Sequence, residues 1–317
     1  MTDRTDWLEW RRSGIGASDV AGILGISPWS SPYSVWADKV GITPFDTDAT
    51  EAQEMGLALE PTINALFHAR TGLYVAGEQS RVTHPDLPWA LATLDGKVYD
   101  GIIGPDGMWG ILGNLEAKTT SDSPAKWEQA IPDMYAAQVQ WQMFVTGAER
   151  TWVAAIHASF GLKFRVYEIA RDNDDIEFIV DKVTDFWHNH VIAGVAPETD
   201  ATLATTEALR HLPVEPGTVI DLEDTIAGHV TELRSLKDEA KETERLIAFH
   251  ENAIKAAMGE ATDAYYDGVP VATWRPQSRT TFDVKAYREA NPDLDLSEFE
   301  NTATSRTFRL AVPKKEK

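Results

Sequence analysis

Residues 91–119 read LATLDGKVYDGIIGPDGMWGILGNLEAKT, and this stretch decides the fold. Two runs with alternating apolar residues, Leu91–Tyr99 and Ile111–Thr119, flank a loop rich in Gly, Pro and Asp. Alternation on both sides of such a loop is typical of a β-hairpin. The sequence therefore predicts two long paired strands in this part of the chain.

Three charged side chains come together on this hairpin. Glu116 and Lys118 are two residues apart on one strand, so they point to the same face, and strand pairing brings Asp95 beside them. Two carboxylates hold a hard cation such as Mg²⁺, which activates a water and stabilises the leaving oxygen in phosphodiester hydrolysis. A neighbouring lysine orients the water or offsets charge on phosphorus. The spacing alone favours an exposed hairpin with ordinary surface charges over such a site.

Length and composition indicate a globular protein. The 317 residues include 43% hydrophobic residues and 11 tryptophans, which fits one large domain or two ordinary ones. The chain has no cysteine, which excludes disulfides and thiolate metal sites. The sequence has no apolar run of about 18 residues and starts without an apolar segment. We expect a soluble, cytoplasmic protein, in the host cytoplasm if a phage encodes it, with no membrane partner.

The net charge of −21 argues against indiscriminate nucleic-acid binding. Residues 1–200 carry 14 Lys and Arg against 29 Asp and Glu, and the remaining residues carry 15 against 21. A nuclease is compatible with this balance, because carboxylates bind the cation and a few basic groups contact phosphate. If DNA is the substrate, the basic groups have to be concentrated on one surface.

Two further candidate sites precede the hairpin. A glycine-rich turn follows Arg11 and Arg12 and leads into a helix that Ser18 caps, so it either binds a phosphate or only caps the helix. Glu60 lies just before Pro61 in a predicted helix over residues 51–72, in which the proline marks a kink or a boundary. The Glu60 carboxylate faces either solvent or the metal site.

A helix is predicted from Pro132 to Thr146, after the hairpin. It places Tyr135, Gln138 and Gln142 on one face, because they are three and four residues apart. These polar groups face either solvent or the active site. Two strands over residues 151–159 and 162–170 and an amphipathic helix over 174–194 are predicted next.

The character of the sequence changes near residue 200. A linker poor in apolar residues, 201–220, separates a core at 1–200 from an extension at 221–317. The extension begins with a long charged helix over 221–258, whose apolar stripe favours packing within its own domain or hairpin over a coiled-coil dimer.

A small β unit, a short helix and a last strand over 304–312 are predicted to complete the extension. If the strands of the extension pair, they bring aromatic and basic residues together: Trp274, Arg275, Arg279, Arg306 and Arg309. This surface would contact DNA, contact another subunit or be solvated.

Five stretches, in this order, resemble the YqaJ-type viral recombinase family, a group of lambda-exonuclease-like and RecE-like nucleases in the PD-(D/E)xK superfamily. They read WRRSGIGASDVAGILGISPWSSPYSVWADKVG, MGLALEP, ATLDG, LEAKTT and YAAQVQWQMFVTG. The resemblance implies an α/β fold with a mixed central sheet flanked by helices at 1–200. The C-terminal long helix and small β unit resemble the extension of phage members.

The resemblance also implies roles for individual residues. Asp95 and Glu116 correspond to metal ligands, together with the carbonyl of Ala117. Glu60 corresponds to an additional acidic residue beside the metal, and Lys118 to the residue that positions the attacking water.

Residues outside the hairpin have implied roles as well. Gln138, in the family's Y-x-x-Q-x-Q helix beside the catalytic hairpin, corresponds to a catalytic residue. Tyr135 and Gln140 of the same motif correspond to residues that bind DNA or the 5′-phosphate. Arg11 and Ser18 resemble a 5′-phosphate pocket, and Arg12 competes with Arg11 for this role.

The resemblance implies a 5′→3′ exonuclease that acts on double-stranded DNA ends with one or two Mg²⁺ ions, for which Mn²⁺ substitutes. Its product would be a 3′ single strand for an annealing protein in phage-type recombination, and the enzyme would be a homo-oligomer, a trimeric ring. A structure-specific endonuclease on the same core and a module that binds DNA ends without cutting are the alternatives.

Overall fold

The computed structural model describes residues 4–45, 50–103, 109–292, 294–295, 299 and 306–311. The chain forms two compact units, and the first ends at Val214. Among the described helices, none combines the length and the hydropathy that crossing a bilayer requires.

Seven helices and seven strands are described in the first unit. The helices are α1 (Arg4–Arg12), α2 (Ala17–Ile23), α3 (Pro32–Lys39), α4 (Glu51–Thr71), α5 (Asp133–Thr146), α6 (Asn173–Phe186) and α7 (Leu203–Arg210). The strands are β1 (Tyr74–Ala76), β2 (Ser80–Thr83), β3 (Leu91–Leu94), β4 (Gly96–Ile103), β5 (Trp109–Thr120), β6 (Arg150–Ala158) and β7 (Leu162–Ala170). A 3₁₀ turn at Pro124–Trp127 and a π-helical turn at Trp187–Ile192 complete this unit.

The central sheet has five strands in the order β1-β4-β5-β6-β7. Strands β5 and β6 are parallel, and the other neighbours are antiparallel. Ile63 and Phe67 of α4 pack on one face, in a cluster with Leu115, and Val139 and Met143 of α5 pack on the other. The predicted mixed sheet flanked by helices is confirmed.

The first strand of the predicted hairpin is interrupted at Asp95, so the prediction of one strand over Leu91–Tyr99 is wrong. Strand β3 pairs with β2 in a separate sheet, whereas β4 pairs with β1 and β5. The close approach of β1 explains why the residue after Asp95 is a glycine, because a Cβ on Gly96 would lie 2.4 Å from a methyl carbon of Val75.

The first unit extends beyond the predicted core. The predicted linker 201–220 contains α7, where the Thr205 hydroxyl hydrogen-bonds the Ser31 hydroxyl over 2.8 Å in the interior. Helix α4 continues through Pro61 without a break.

The second unit consists of α8 (Asp224–Met258), β8 (Asp263–Tyr266), β9 (Val269–Thr273) and α9 (Val284–Ala290). The long helix is confirmed. The predicted last strand is absent over 306–311, the part of it that the structure describes. Within the described residues of this unit, β8 and β9 pair only with each other. None of the described side chains of this unit is buried.

Candidate active site

The site forms where β5 runs past the beginning of β4. The ladder between these strands ends at the pair Gly96–Leu115, so the next residues of β5 have no β4 partner. There the backbone N–H of Ala117 donates a 2.8 Å hydrogen bond to Oδ2 of Asp95. The strand register thus brings Asp95 beside Glu116 and Lys118, as the spacing predicts.

Glu116 is 3% exposed and is held by three donors. Gln138 donates to its Oε1 over 2.7 Å and Gln142 donates to its Oε2 over 2.6 Å. The Lys118 ammonium also contacts Oε1. Leu115 packs toward α4, so the alternation of β5 turns Glu116 toward α5, which supplies both amides.

The Lys118 ammonium lies between the Glu116 carboxylate and the ring of Tyr135, whose centroid is 4.9 Å from Nζ. Burial alone would lower the pKa of Lys118, but the Glu116 carboxylate outweighs burial and raises this pKa. Lys118 is therefore protonated, so it acts as a cation and hydrogen-bond donor rather than as a base.

Glu60 and Asp95 are joined by one amide. Nε2 of Gln79 lies 3.1 and 3.0 Å from the two carboxylate oxygens of Glu60, and 3.4 Å from Oδ1 of Asp95. Burial raises the pKa of Asp95 well above its usual value, and the charge of Glu116 adds to this rise. Burial also raises the pKa of Glu60, against the effect of the Gln79 hydrogen bond. The site thus resists full ionisation of its acids.

These groups line two adjoining cavities. The larger is an open cleft of about 950 Å³, bounded by α1, α4 and β5, and the smaller has about 180 Å³. Five residues line both cavities: Trp7, Arg11, Gln79, Asp95 and Glu116. Ser18 and Gln138 line the smaller one.

Arg11 reaches the smaller cavity and is oriented by neighbouring groups. Its guanidinium donates to the Ser18 hydroxyl over 3.1 Å and to Asp19 over 3.3 Å. The buried Lys39 ammonium lies 2.7 Å from Asp19 and donates to the Arg11 carbonyl. Burial alone would raise the pKa of Asp19, but Lys39 and Arg11 outweigh it and lower this pKa. A charged network thus fixes Arg11 beside Ser18.

Arg12 points elsewhere. Its guanidinium donates to Asp38 over 2.9 Å and to the Thr43 carbonyl over 2.7 Å, and it lies 3.7 Å from the centroid of the Phe45 ring. Arg12 lines neither cavity. Of the two arginines, Arg11 is therefore the candidate phosphate ligand.

Gln140 does not reach the site, and its predicted phosphate contact needs correction. Its Nε2 donates to the Ala170 carbonyl over 2.9 Å, and its Oε1 accepts from the N–H of Asp172 over 3.0 Å. These bonds tie α5 to the start of α6. Gln138 and Gln142, four residues apart, share the face that meets Glu116, whereas Gln140 faces away from it.

Comparison with known proteins places the chain in a family. Residues 6–149 match the YqaJ-like viral recombinase domain. Over 297 residues the chain is 32% identical to YqaJ of Bacillus subtilis (strain 168), covering 92% of this chain and 89% of that protein. The chain belongs to the YqaJ-like viral recombinase family. Every predicted site residue, from Arg11 to Gln140, lies within the segment that matches the family domain.

Two solved structures are similar to this YqaJ-like chain. The alkaline exonuclease LHK-Exo from Laribacter hongkongensis is 22% identical, with 60% of this chain and 94% of that one covered and a TM-score of 0.47. A phage related exonuclease from Haemophilus somnus 129PT is 14% identical, with 58% and 96% covered and a TM-score of 0.41.

The donor chemistry of this YqaJ-like site fits a hard cation. Glu60, Asp95 and Glu116 offer carboxylate oxygens, the ligands that Mg²⁺ prefers. In the described part of the chain, no three Asp, Glu or His side chains are placed so that together they could hold a metal ion. Burial, with the neighbouring carboxylate charge added, raises the pKa values of Asp95 and Glu60, and a cation placed beside them would favour their charged forms.

Gln79 has no role predicted from the sequence, and Gln142 is predicted only to share the helix face of Tyr135 and Gln138, toward solvent or the active site. Gln79 lies in the turn before β2, and its backbone has a φ of 54°, in the left-handed region that non-glycine residues seldom adopt. No pattern in the sequence marks this residue. Gln142 was recognisable from its helix face shared with Gln138, but the family motif directed attention to Gln140.

We expect Asp95→Asn to stabilise the protein in EDTA near pH 8. The fold raises the pKa of Asp95, so its charged form destabilises the folded state above that pKa, and this penalty disappears as pH falls through it. Asparagine removes the charge and keeps an oxygen for the Ala117 N–H. The measurement is the Tm by scanning calorimetry from pH 5 to 8.

The control is Asp86→Asn, at an exposed position between β2 and β3, which should change stability by less than about 0.5 kcal/mol. The advantage of Asp95→Asn should shrink as the pH falls. A lower Tm for Asp95→Asn than for wild type at pH 8 would contradict the claim that the charged form of Asp95 destabilises the folded state.

Proposed function

We propose that this chain is a cation-dependent 5′→3′ exonuclease that degrades double-stranded DNA from its ends in phage-type recombination. The observation that carries the proposal is the convergence of Asp95, Glu116 and Lys118 in an open cleft that adjoins the Arg11–Ser18 pair. Membership of the YqaJ-like viral recombinase family supports recombination as the setting.

Asp95, Glu116, Glu60 and the carbonyl of Ala117 would hold one or two Mg²⁺ ions, and Mn²⁺ would substitute. A bound cation lowers the pKa of water and stabilises negative charge on the leaving oxygen. The excess of carboxylates in the site supports this assignment, because a hard cation binds best where oxygen ligands carry negative charge.

Lys118 supplies positive charge that does not depend on the cation. Its raised pKa keeps it protonated at neutral and alkaline pH, and Glu116 and the Tyr135 ring fix its position. The ammonium can donate hydrogen bonds to the attacking water and to a phosphoryl oxygen as charge develops on phosphorus. Its contribution is therefore orientation and charge stabilisation.

Arg11 and Ser18 would bind the terminal 5′-phosphate. A guanidinium and a hydroxyl are suited to a phosphate, and the small cavity that they line shares Asp95 and Glu116 with the cleft. A phosphate held there would place the adjacent phosphodiester near the carboxylates. This arrangement supports digestion that starts at a 5′ end.

We also propose that the protein acts as a homo-oligomer, a trimeric ring around the DNA, and passes the 3′ strand to a single-strand annealing protein. Resemblance to the lambda-exonuclease-like group supports this part of the proposal. A ring with its basic groups facing inward would reconcile phosphate contacts with a net charge of −21.

A structure-specific endonuclease is the second candidate. The cleft of about 950 Å³ is open, and an open cleft does not itself demand a DNA end. A module that binds DNA ends without cutting is less well supported, because such a module has no use for two crowded carboxylates beside a lysine.

Digestion of a linear duplex labelled at either end, beside a closed circle, tests the proposal. We expect Mg²⁺-dependent release of the 5′ label as mononucleotide, an intact circle and no reaction in EDTA. Lys118→Ala should lower the rate by about 10²-fold or more, because a charged donor is lost from the reacting phosphate. The control is Lys126→Ala, which removes an exposed lysine paired with Asp122.

Cutting of the circle would favour the endonuclease. Failure to cut any substrate, with binding of DNA ends retained in EDTA, would leave the non-cleaving module. Equal effects of Lys118→Ala and Lys126→Ala would contradict the assigned role of Lys118.

We expect substitutions of Arg11 and of Arg12 to have different effects. Arg11→Ala should reduce the preference for a 5′-phosphorylated end over a 5′-hydroxyl end by about 10-fold or more, the cost of a hydrogen bond to a charged group. Arg12→Ala should lower the Tm, because it breaks the bonds to Asp38 and Thr43, and should leave the preference unchanged. Rates on the two substrates and calorimetry measure this, and the reverse pattern would assign the pocket to Arg12.

A further inference from the structure

Gln142 is a wholly buried amide behind the active site. Its Nε2 donates 2.6 Å to Oε2 of Glu116 and lies 3.4 Å from the Thr93 carbonyl. Its Oε1 is buried and has no hydrogen-bond partner. Gln142 does not line either cavity, so its contact with the site is made through Glu116.

An amide is an unfavourable choice for this position unless its bond to Glu116 is needed. A buried acceptor without a partner destabilises the folded state, because it loses the hydrogen bond that it makes to water in the unfolded chain. The unsatisfied oxygen is therefore best explained by what the other end of the amide does.

The donors around Glu116 are unequally divided between its oxygens. Among the described residues, Oε1 accepts from both Lys118 and Gln138, whereas Oε2 accepts from Gln142 alone. A carboxylate has about four acceptor positions, two on each oxygen. Oε1 is thus saturated, and one position remains on Oε2.

The other two acids are held differently. Glu60 and Asp95 share a single amide, that of Gln79, over 3.0 to 3.4 Å, and Gln79 is exposed. Asp95 also accepts a 2.8 Å hydrogen bond from the backbone N–H of Ala117, so Glu60 is the acid that the exposed amide alone holds and that can adjust when a ligand arrives. Glu116, buried and bound on both oxygens, cannot rotate without losing charged hydrogen bonds.

We propose that Gln142 is a positioning residue that fixes Glu116 as the rigid member of the cation site, so that Glu116 binds the cation through the one open position on Oε2. The proposal rests on the proposed function, since it presumes a cation beside Asp95 and Glu116. Gln142 acts through Glu116 and does not touch substrate.

Manganese binding tests this role without DNA, by electron paramagnetic resonance of free Mn²⁺ during titration of the full chain. The variant Gln142→Met keeps the volume and removes the amide. We expect its Mn²⁺ affinity to fall 10- to 100-fold, the usual effect of losing a group that orients a metal ligand. Gln142→Asn shortens the side chain by one methylene and keeps the amide. It should also weaken Mn²⁺ binding, and it replaces Gln142→Met as the test if the methionine variant folds poorly.

Gln140→Met is the matched control. This glutamine is also buried in α5, two residues away, but its bonds go to the Ala170 carbonyl and the Asp172 N–H. We expect a lower Tm and an unchanged Mn²⁺ affinity. Wild-type affinity in both Gln142 variants would overturn the proposal, and so would equal weakening by Gln140→Met, because the effect would then come from general damage to α5.

A separate outcome concerns the cation site itself. If wild type fails to bind Mn²⁺, or binds it with the same affinity after Asp95→Asn, the proposed cation site is wrong and the role of Gln142 falls with it. If Asp95→Asn weakens Mn²⁺ binding but the Gln142 variants bind Mn²⁺ as tightly as wild type, the cation site stands and the positioning role alone is overturned.

Discussion

The site depends on one hydrogen bond, from the backbone N–H of Ala117 to the carboxylate of Asp95. This bond exists because β5 continues after its ladder with β4 has ended, which leaves the N–H without a strand partner. The side chain of Asp95 takes the place of the missing strand. The same residue marks the point where the chain leaves one sheet and enters another, so the bond links the topology of the fold to the geometry of the acids.

The alternation of β5 separates the apolar and charged parts of the hairpin. Leu115 faces the apolar residues of α4, and Glu116 and Lys118 face the amides and the tyrosine ring of α5. Glu116 is therefore buried with donors on both of its carboxylate oxygens. Burial raises the pKa values of Asp95 and Glu60. This electrostatic cost is concentrated at the proposed cation site.

The mixed sheet, the long helices and the meeting of Asp95, Glu116 and Lys118 were predictable, because strand and helix periodicity determine which side chains share a face. The break at Asp95 was not, since it depends on the approach of β1 to Gly96. Gln79 was not predictable either, because its position comes from a turn with positive φ. Gln140 shows the limit of a motif: its spacing is right for the family, but its helix face points away from the site.

The most direct test of this account is anomalous diffraction at the manganese edge from crystals of the full chain soaked in Mn²⁺. We expect a peak at coordination distance, about 2.0–2.3 Å, from the Asp95 carboxylate and from Oε2 of Glu116. A peak that appears only at surface carboxylates, or that contacts neither Asp95 nor Glu116, would contradict the claim that these crowded acids form a cation site.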